Sequence, residues 1–370
     1  MLVLVANLGS TSFKYKLLEM DLDGQEVARG SYERIGQENS PYRSHADVID
    51  VILKELPYAP DAIGFKAVHG GSISGAVRVT DEVIATMEEF ADVAPAHNPP
   101  YVAAMKAFAR KLPDVPQVAA FETSFHQTIP LARQIYGIPH EWTSKLGIRR
   151  YGFHGASHRY VATRIAEIVG REARRIISCH LGGSCSICAI ENGKSVANSF
   201  GMTAQSGVPH NNRVGDFDTF ALLKLTKRGY SLEEVFRKLS KEGGLLGMSG
   251  VSPDMRDVEK AALQGNTQAK LAIDAFVESV RHYLGAYLVV LGGCDVLAFT
   301  GGIGENGIAI RASVCRDLEW AGIDLDIQKN QVRGKETKIS KVESGTEIWI
   351  VQSNEELIVA RQTMAVLMAN

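Results

Sequence analysis

Two stretches of this chain follow one local plan. Leu2–Ala6 is an unbroken apolar run, Asn7-Leu8-Gly9-Ser10-Thr11-Ser12 is polar, and Phe13–Leu18 has strand composition again. A turn falls near Asp21–Gly24, and Glu26–Glu33 completes a third strand. In mid-chain, Arg175–Leu181 is an apolar strand, Gly182-Gly183-Ser184 a turn, Cys185–Glu191 a strand, Asn192-Gly193 a hairpin signal and Lys194–Asn198 a third strand. Helical spacing follows each: at Asp47–Leu56, Asp81–Phe90 and Pro100–Leu112, then at Phe217–Arg228, Ser231–Lys241 and Thr267–Leu291. Further strands are expected at Gln117–Phe121, Val296–Phe299 and Glu347–Val351. The segment Thr300–Asn306 reads as a turn leading into a helix that ends at Trp320, and a last helix covers Glu355–Met368. The repetition predicts an α/β protein of two like domains around a cleft, the product of a gene duplication.

The chain has 370 residues, enough for two domains, and no low-complexity linker divides it. Its 40 Lys and Arg against 42 Asp and Glu provide no concentrated basic face, so nucleic acid and anionic membranes are not expected partners. No apolar run reaches the roughly 18 residues of a membrane span, and the N-terminus lacks the basic region of a signal peptide. Five cysteines, an odd and small number, fit free thiols in a reducing cytoplasm.

Polar Gly/Ser turns directly after apolar strands can offer backbone N–H groups and hydroxyls to phosphate, although Gly, Ser and Asn are equally common in ordinary turns. Three such segments occur: Asn7–Ser12 with Lys14 beyond it, His180–Ser184, and Thr300–Asn306. None has the spacing of a P-loop or a dinucleotide fingerprint. His154 precedes Gly155-Ala156-Ser157, a helix start whose positive end would bias the imidazole toward anions. His154 and His158 lack the intervening glutamate of a zinc motif, and Cys185 and Cys188, within a predicted strand, read as core thiols. Arg213, in the polar run Asn211–Asp216, is either a solvated charge or an anion clamp. Glu355 and Glu356 open the last helix, where acids suit the helix dipole and a carboxylate can also hold Mg²⁺ through water.

Seven motifs taken together resemble the acetate kinase family of the sugar kinase, heat-shock chaperone and actin superfamily. They are Asn7–Lys14, Val68-His69-Gly70-Gly71, Ala94–Pro100, Phe125-His126-Gln127-Thr128, Tyr151–His158, Gly301–Asn306 and Ser353–Leu357, and the likeness runs from Leu2 to Gln362. The resemblance implies two actin-like (ribonuclease H-like) domains, one formed by residues 1–124 plus 357–370 and a nucleotide-binding one by residues 125–356. It further implies a homodimer that transfers phosphoryl reversibly between ATP and acetate with Mg²⁺, giving acetyl phosphate and ADP. Position by position, Asn7 and Glu355 resemble the Mg²⁺-site residues; Ser10, Ser12 and Lys14 the phosphate loop; His154 and Arg213 the groups contacting phosphoryl and carboxylate. His180, Gly182, Gly183, Ser184, Asp254, Met255, Arg256, Gly302, Ile303, Gly304, Glu305 and Asn306 resemble the nucleotide-binding segments.

The chain departs from the family pattern in four places. The substrate-clamping arginine is Lys66, and the active-site aspartate is Glu122. A shorter cation facing a longer acid suggests one re-spaced Lys66–Glu122 ion pair. The second turn carries Gly183-Ser184-Cys185, and the approach to Arg213 reads Gln205–Asn212. The chain is also shorter than usual members between Gln37 and Asp61. Propionate or butyrate as the acid, another phosphoryl donor, and a non-catalytic nucleotide sensor are the alternatives the residues leave open.

Overall fold

Main-chain pairing in the opening hairpin runs well past its apolar residues. In the computed structural model β1 (Leu2–Gly9) pairs antiparallel with β2 (Ser12–Glu19) down to Gly9 opposite Ser12, so only Ser10 and Thr11 form the turn. Asn7 and Gly9, expected in a turn, are therefore ladder residues. Strand bonds join backbone groups, and polar side chains do not end them. The structure describes residues 1–370 except 23, 72, 92–96, 171, 172 and 370, so Ala94, Pro95 and Ala96 of the Ala94–Pro100 motif lie outside the described residues.

Contacts divide the chain into two units, one of Met1–Gln127, Gly155–Tyr160 and Asn354–Asn370, the other of Thr128–His154 and Val161–Ser353. In the first, β2 also pairs with β3 (Gln25–Glu33), while β1 pairs in parallel with β4 (Ala62–Ala67) and β4 with β6 (Gln117–Phe121). The short β5 (Ala76–Arg78) lies antiparallel on β6, giving the order β3-β2-β1-β4-β6-β5. Alternation along β1 sorts its side chains to two faces. Leu4, Ala6 and Leu8 join a core with Ile49, Ile52, Met105 and Phe108 of helices His45–Glu55 and Asn98–Lys111. Val3 and Val5 meet Leu357, Ile358, Val359 and Ala360 of helix Glu355–Met368. Gly64 lets that helix lie close on the sheet, since a Cβ there would run into Thr363 Oγ1 and stand 3.0 Å from Val359 Cγ1.

The second unit repeats this order strand for strand. β7 (Arg175–Leu181), β8 (Cys185–Glu191) and β9 (Lys194–Asn198) form the antiparallel meander. β10 (Val296–Thr300) and β12 (Glu347–Ile350) add in parallel beside β7, and β11 (Thr337–Lys338) closes the edge, so the order is β9-β8-β7-β10-β12-β11. Helix Thr267–Leu291, capped by Asn266 and stopped by left-handed Gly292, packs Phe276, Val280 and Leu284 into this core with Cys185. Both Cys185 and Cys188 are buried free thiols. Among the described residues no helix is long and apolar enough to cross a membrane.

Three expectations about local structure need correction. Gly301–Asn306 is a helix rather than a turn: Gly301, at φ +76°, lets the chain reverse where a Cβ would lie 2.7 Å from the Leu181 carbonyl. The helix expected to end at Trp320 stops at Cys315, and Phe217–Arg228 is helical only over Ala221–Thr226.

Candidate active site

Each sheet gathers polar residues at the carboxyl ends of its parallel strands, where ligands of open α/β sheets bind. In the first unit Asn7 stands near the end of β1, Lys66 near the end of β4, and Glu122 directly after β6, its N–H donating to the Ala67 carbonyl at 2.8 Å. The Lys66 ammonium forms an ion pair with Glu355 of the closing helix, whose side chain, like that of Lys66, is at most 15% exposed. Burial pulls the Lys66 pKa down, but Glu355 and Glu122 more than offset this and hold it well above its ordinary value. Glu122 is buried, and among the described residues neither carboxylate oxygen has a hydrogen-bond partner of normal geometry, although the Gly155 and Ala156 N–H groups act on it. Burial raises its pKa above the usual carboxylate range, Lys66 opposes the rise, and Glu355 adds to it.

The expected Lys66–Glu122 pair is thus not formed: lysine's contact is with Glu355, and Glu122 feels it through space. Tyr101, which sequence reasoning missed, completes the cluster. Its hydroxyl accepts the Leu8 N–H at 2.9 Å, and the charges of Lys66, Glu122 and Glu355 all act on it. Asn7 Nδ2 reaches Glu356 at 3.5 Å, and Glu356 also pairs with Lys16 at 3.4 Å. Lys14 is exposed on β2, in register with Asn7; Ser10 is exposed at the turn, and Ser12 Oγ lies over Gly9.

The second unit brings together three imidazoles and one guanidinium. His154, at left-handed φ +58°, contacts Ser186 Oγ through Nδ1 at 2.8 Å, and its ring centroid lies 4.1 Å from that of His180. His210, another residue sequence reasoning passed over, is fully buried and stacks on Phe200. Its Nδ1 accepts the Cys185 N–H at 2.8 Å, which fixes a neutral imidazole with its proton on Nε2, and burial and Arg213 push its pKa well below the ordinary value. Arg213 is partly buried and donates to the Ala204 carbonyl at 2.7 Å. No carboxylate pairs with it among the described residues, and burial lowers its pKa. A guanidinium has five donors in a fixed fork, so most remain available to an anion.

Beside this group lies a cavity of about 680 Å³ lined by Gly182, Gly183, Asp254, Met255, Arg256, Gly302, Ile303 and Asn306, together with Asn211, Glu259 and Arg333. Asp254 caps helix Met255–Leu263 and holds Arg256, while Arg333 donates to the Asn306 carbonyl at 2.6 Å. Four expected nucleotide residues stand off its wall. His180 packs on His154, and Ser184 lies 3.5 Å from His210. Glu305 accepts the N–H groups of Gly301 and Ser353, each at 3.1 Å. The Gly304 carbonyl takes a bond from the fully buried Arg311 at 2.8 Å. Arg333 had no sequence signal, since a loop distant in the chain brings it here, and Glu259 was passed over although it lies one helical turn after Arg256.

Each unit thus carries polar groups at its strand ends, a glycine-walled cavity in the second and a carboxylate–lysine cluster in the first, on sheets of one strand order. Residues 44–361 match the model of the acetokinase family. Acetate kinase from Dictyoglomus thermophilum is 43% identical over 397 aligned positions that cover 99% of this chain and 99% of that protein. The crystal structure of Porphyromonas gingivalis acetate kinase superposes with a TM-score of 0.91 at 40% identity, covering 99% of each chain. A propionate kinase from Francisella tularensis superposes with a TM-score of 0.92 at 34% identity, also over 99% of each. The chain belongs to the acetokinase family, kinases that transfer phosphate to a carboxylate.

Proposed function

We propose that this protein is a cytoplasmic acetate kinase in which ATP or ADP occupies the cavity of the second unit. An acetate oxygen attacks the γ-phosphorus, the bond to the ADP oxygen breaks, and acetyl phosphate and ADP leave; the reverse reaction makes ATP. A loose transition state of this kind needs positive charge around the phosphoryl oxygens rather than an enzyme nucleophile. The observation carrying the reading is Arg213: a partly buried guanidinium with spare donors and, among the described residues, no carboxylate, two positions after Asn211 of the cavity wall. In this reading His154 donates to the transferring phosphoryl, with Ser186 and His180 setting its ring. Arg256, Gly182, Gly183 and the Gly302–Asn306 helix hold the nucleotide. Ser10, Ser12 and Lys14 serve phosphate, Lys66, held by Glu355, orients the acid's carboxylate, and Glu122 acts on the Lys66 charge through space.

The carboxylates of Glu355 and Glu356 and the amide of Asn7 form a set able to give hard oxygen donors, which suits Mg²⁺. Asn7 and Glu355 would hold it, Mg²⁺ is kept by one or two such groups plus phosphate and water, and when bound it neutralises phosphate charge. Propionate is the second reading, favoured by the match to a propionate kinase. One methylene is worth only about 1–3 kcal/mol of discrimination, so both acids are expected to react. Incubation with Mg-ATP, hydroxylamine and acetate, propionate or butyrate is expected to give hydroxamate fastest with acetate. ATP binding with no trapped product would instead identify a sensor.

We also infer a homodimer. Phe220, Leu223, Leu232 and Phe236, on or beside helices Ala221–Thr226 and Leu232–Lys241, are all more than half exposed, an apolar face that a second copy would cover. Sedimentation of the wild type should give twice the chain mass, and Phe220→Asp with Phe236→Asp should give monomers. An unchanged mass in that variant would place the interface elsewhere.

A further inference from the structure

A second cavity, in the first unit, is lined by several basic residues, and of its lining only Ser10 has a role in the reaction proposed above. It measures about 450 Å³, and its polar lining is Ser10, Arg43, Ser44, His45, Lys106 and Arg110. The basic side chains come from distant parts of the chain: Arg43 and His45 from the entry to helix His45–Glu55, Lys106 and Arg110 from one face of helix Asn98–Lys111, four residues apart. Among the described residues no acid lines the cavity. Nearby carboxylates are committed elsewhere or only partly compensate. Asp47 accepts the backbone N–H groups of Arg43 and Ser44, each at 2.9 Å, Asp50 pairs with Lys111, and Glu88 holds Lys106 at 2.7 Å. Among the described residues neither Arg43 nor Arg110 has a carboxylate on its guanidinium.

Converging like charges in a concave wall repel one another and concentrate positive potential, and a multivalent anion relieves both. Two guanidinium forks suit the planar oxygen pairs of a phosphoryl group better than a monovalent ion, and the hydroxyls of Ser10 and Ser44 add donors. We propose that this cavity is a separate binding site for a phosphate dianion, set against the outer side of the Ser10 turn. The His45 ring lies 3.0 Å from the Gly9 carbonyl, so an occupant would touch the same hairpin that carries Asn7 and Ser12.

The test is calorimetric titration of the full-length protein with inorganic phosphate, in saturating Mg-ADP, against KCl of equal ionic strength. Saturable uptake of one phosphate per chain is expected with ADP already bound. The double variant Arg43→Ala with Arg110→Ala should weaken that uptake by about tenfold or more, losing two charge-assisted contacts. Its Mg-ADP affinity and hydroxamate turnover should stay within about twofold of wild type, since neither arginine serves the nucleotide or the acid. Uptake no greater than in KCl, uptake abolished by ADP, or equal uptake by the double variant would each overturn the proposal. Hydroxamate formation is read separately, so a failure here leaves the kinase assignment to its own assay.

Discussion

Replacing Arg213 by alanine is expected to cut turnover by about 10³-fold or more, because one preorganised charge aimed at a transferring phosphoryl is worth that much. The effect should fall on kcat more than on KM, since the charge it meets develops in the transition state. Arg213→Lys keeps the charge but not the fork, and should land between wild type and alanine. Folding should respond in the opposite sense. Arg213 is a partly buried cation with one carbonyl partner and no carboxylate, so removing it relieves a desolvation cost. Chemical denaturation should therefore show Arg213→Ala as stable as the wild type or more so. Normal turnover in that variant would remove the guanidinium from the reaction and, with it, the reading of the second unit's polar cluster.

Lys66→Met is expected to be strongly destabilising. It strands two carboxylates, Glu355 and Glu122, in a little-exposed cluster without their cation, and breaking such a pair costs about 3 kcal/mol or more. The loss should depend on pH with a definite sign. Glu122 already holds its proton to higher pH in the folded state than in the unfolded chain, and without Lys66 it does so further. Folding then loses stability as pH rises through that raised pKa, and recovers it in acid as Glu122 protonates. Urea denaturation near pH 5.5 and near pH 8 should accordingly show a larger gap from wild type at the higher pH. Adding Glu122→Gln should restore part of the gap. Equal stability of Lys66→Met and wild type at both pH values would mean that solvent, not lysine, balances these acids.

Much of this arrangement was legible because apolar period and Gly/Ser punctuation recur in both halves. The meanders, the long helix Thr267–Leu291 and the closing helix follow directly from that pattern. What escaped needed tertiary context. The Gly301–Asn306 run reads as a turn by propensity, yet it is helical, because only a glycine can turn past the Leu181 carbonyl there. β4 gave no clear signal in the sequence, and it carries Lys66. Lysine's partner could not be chosen locally either: Glu122 was the nearer candidate by motif, whereas Glu355 arrives from the far end of the chain. Tyr101 and His210 look like ordinary core residues until the strands that they face are known.

The helix Glu355–Met368 covers one face of the sheet that begins with Leu2, and it delivers Glu355 to Lys66. The amino-terminal half is thus the first to leave the ribosome and among the last to be finished. Until the final stretch emerges, Val3, Val5 and Ala62 lack the cover that Leu357, Ile358, Val359 and Ala360 give them, although the strands of the other half can already assemble. A nascent or clipped chain lacking its tail would also lack the acid that lysine awaits, so truncated copies come out inert and sticky rather than half-active.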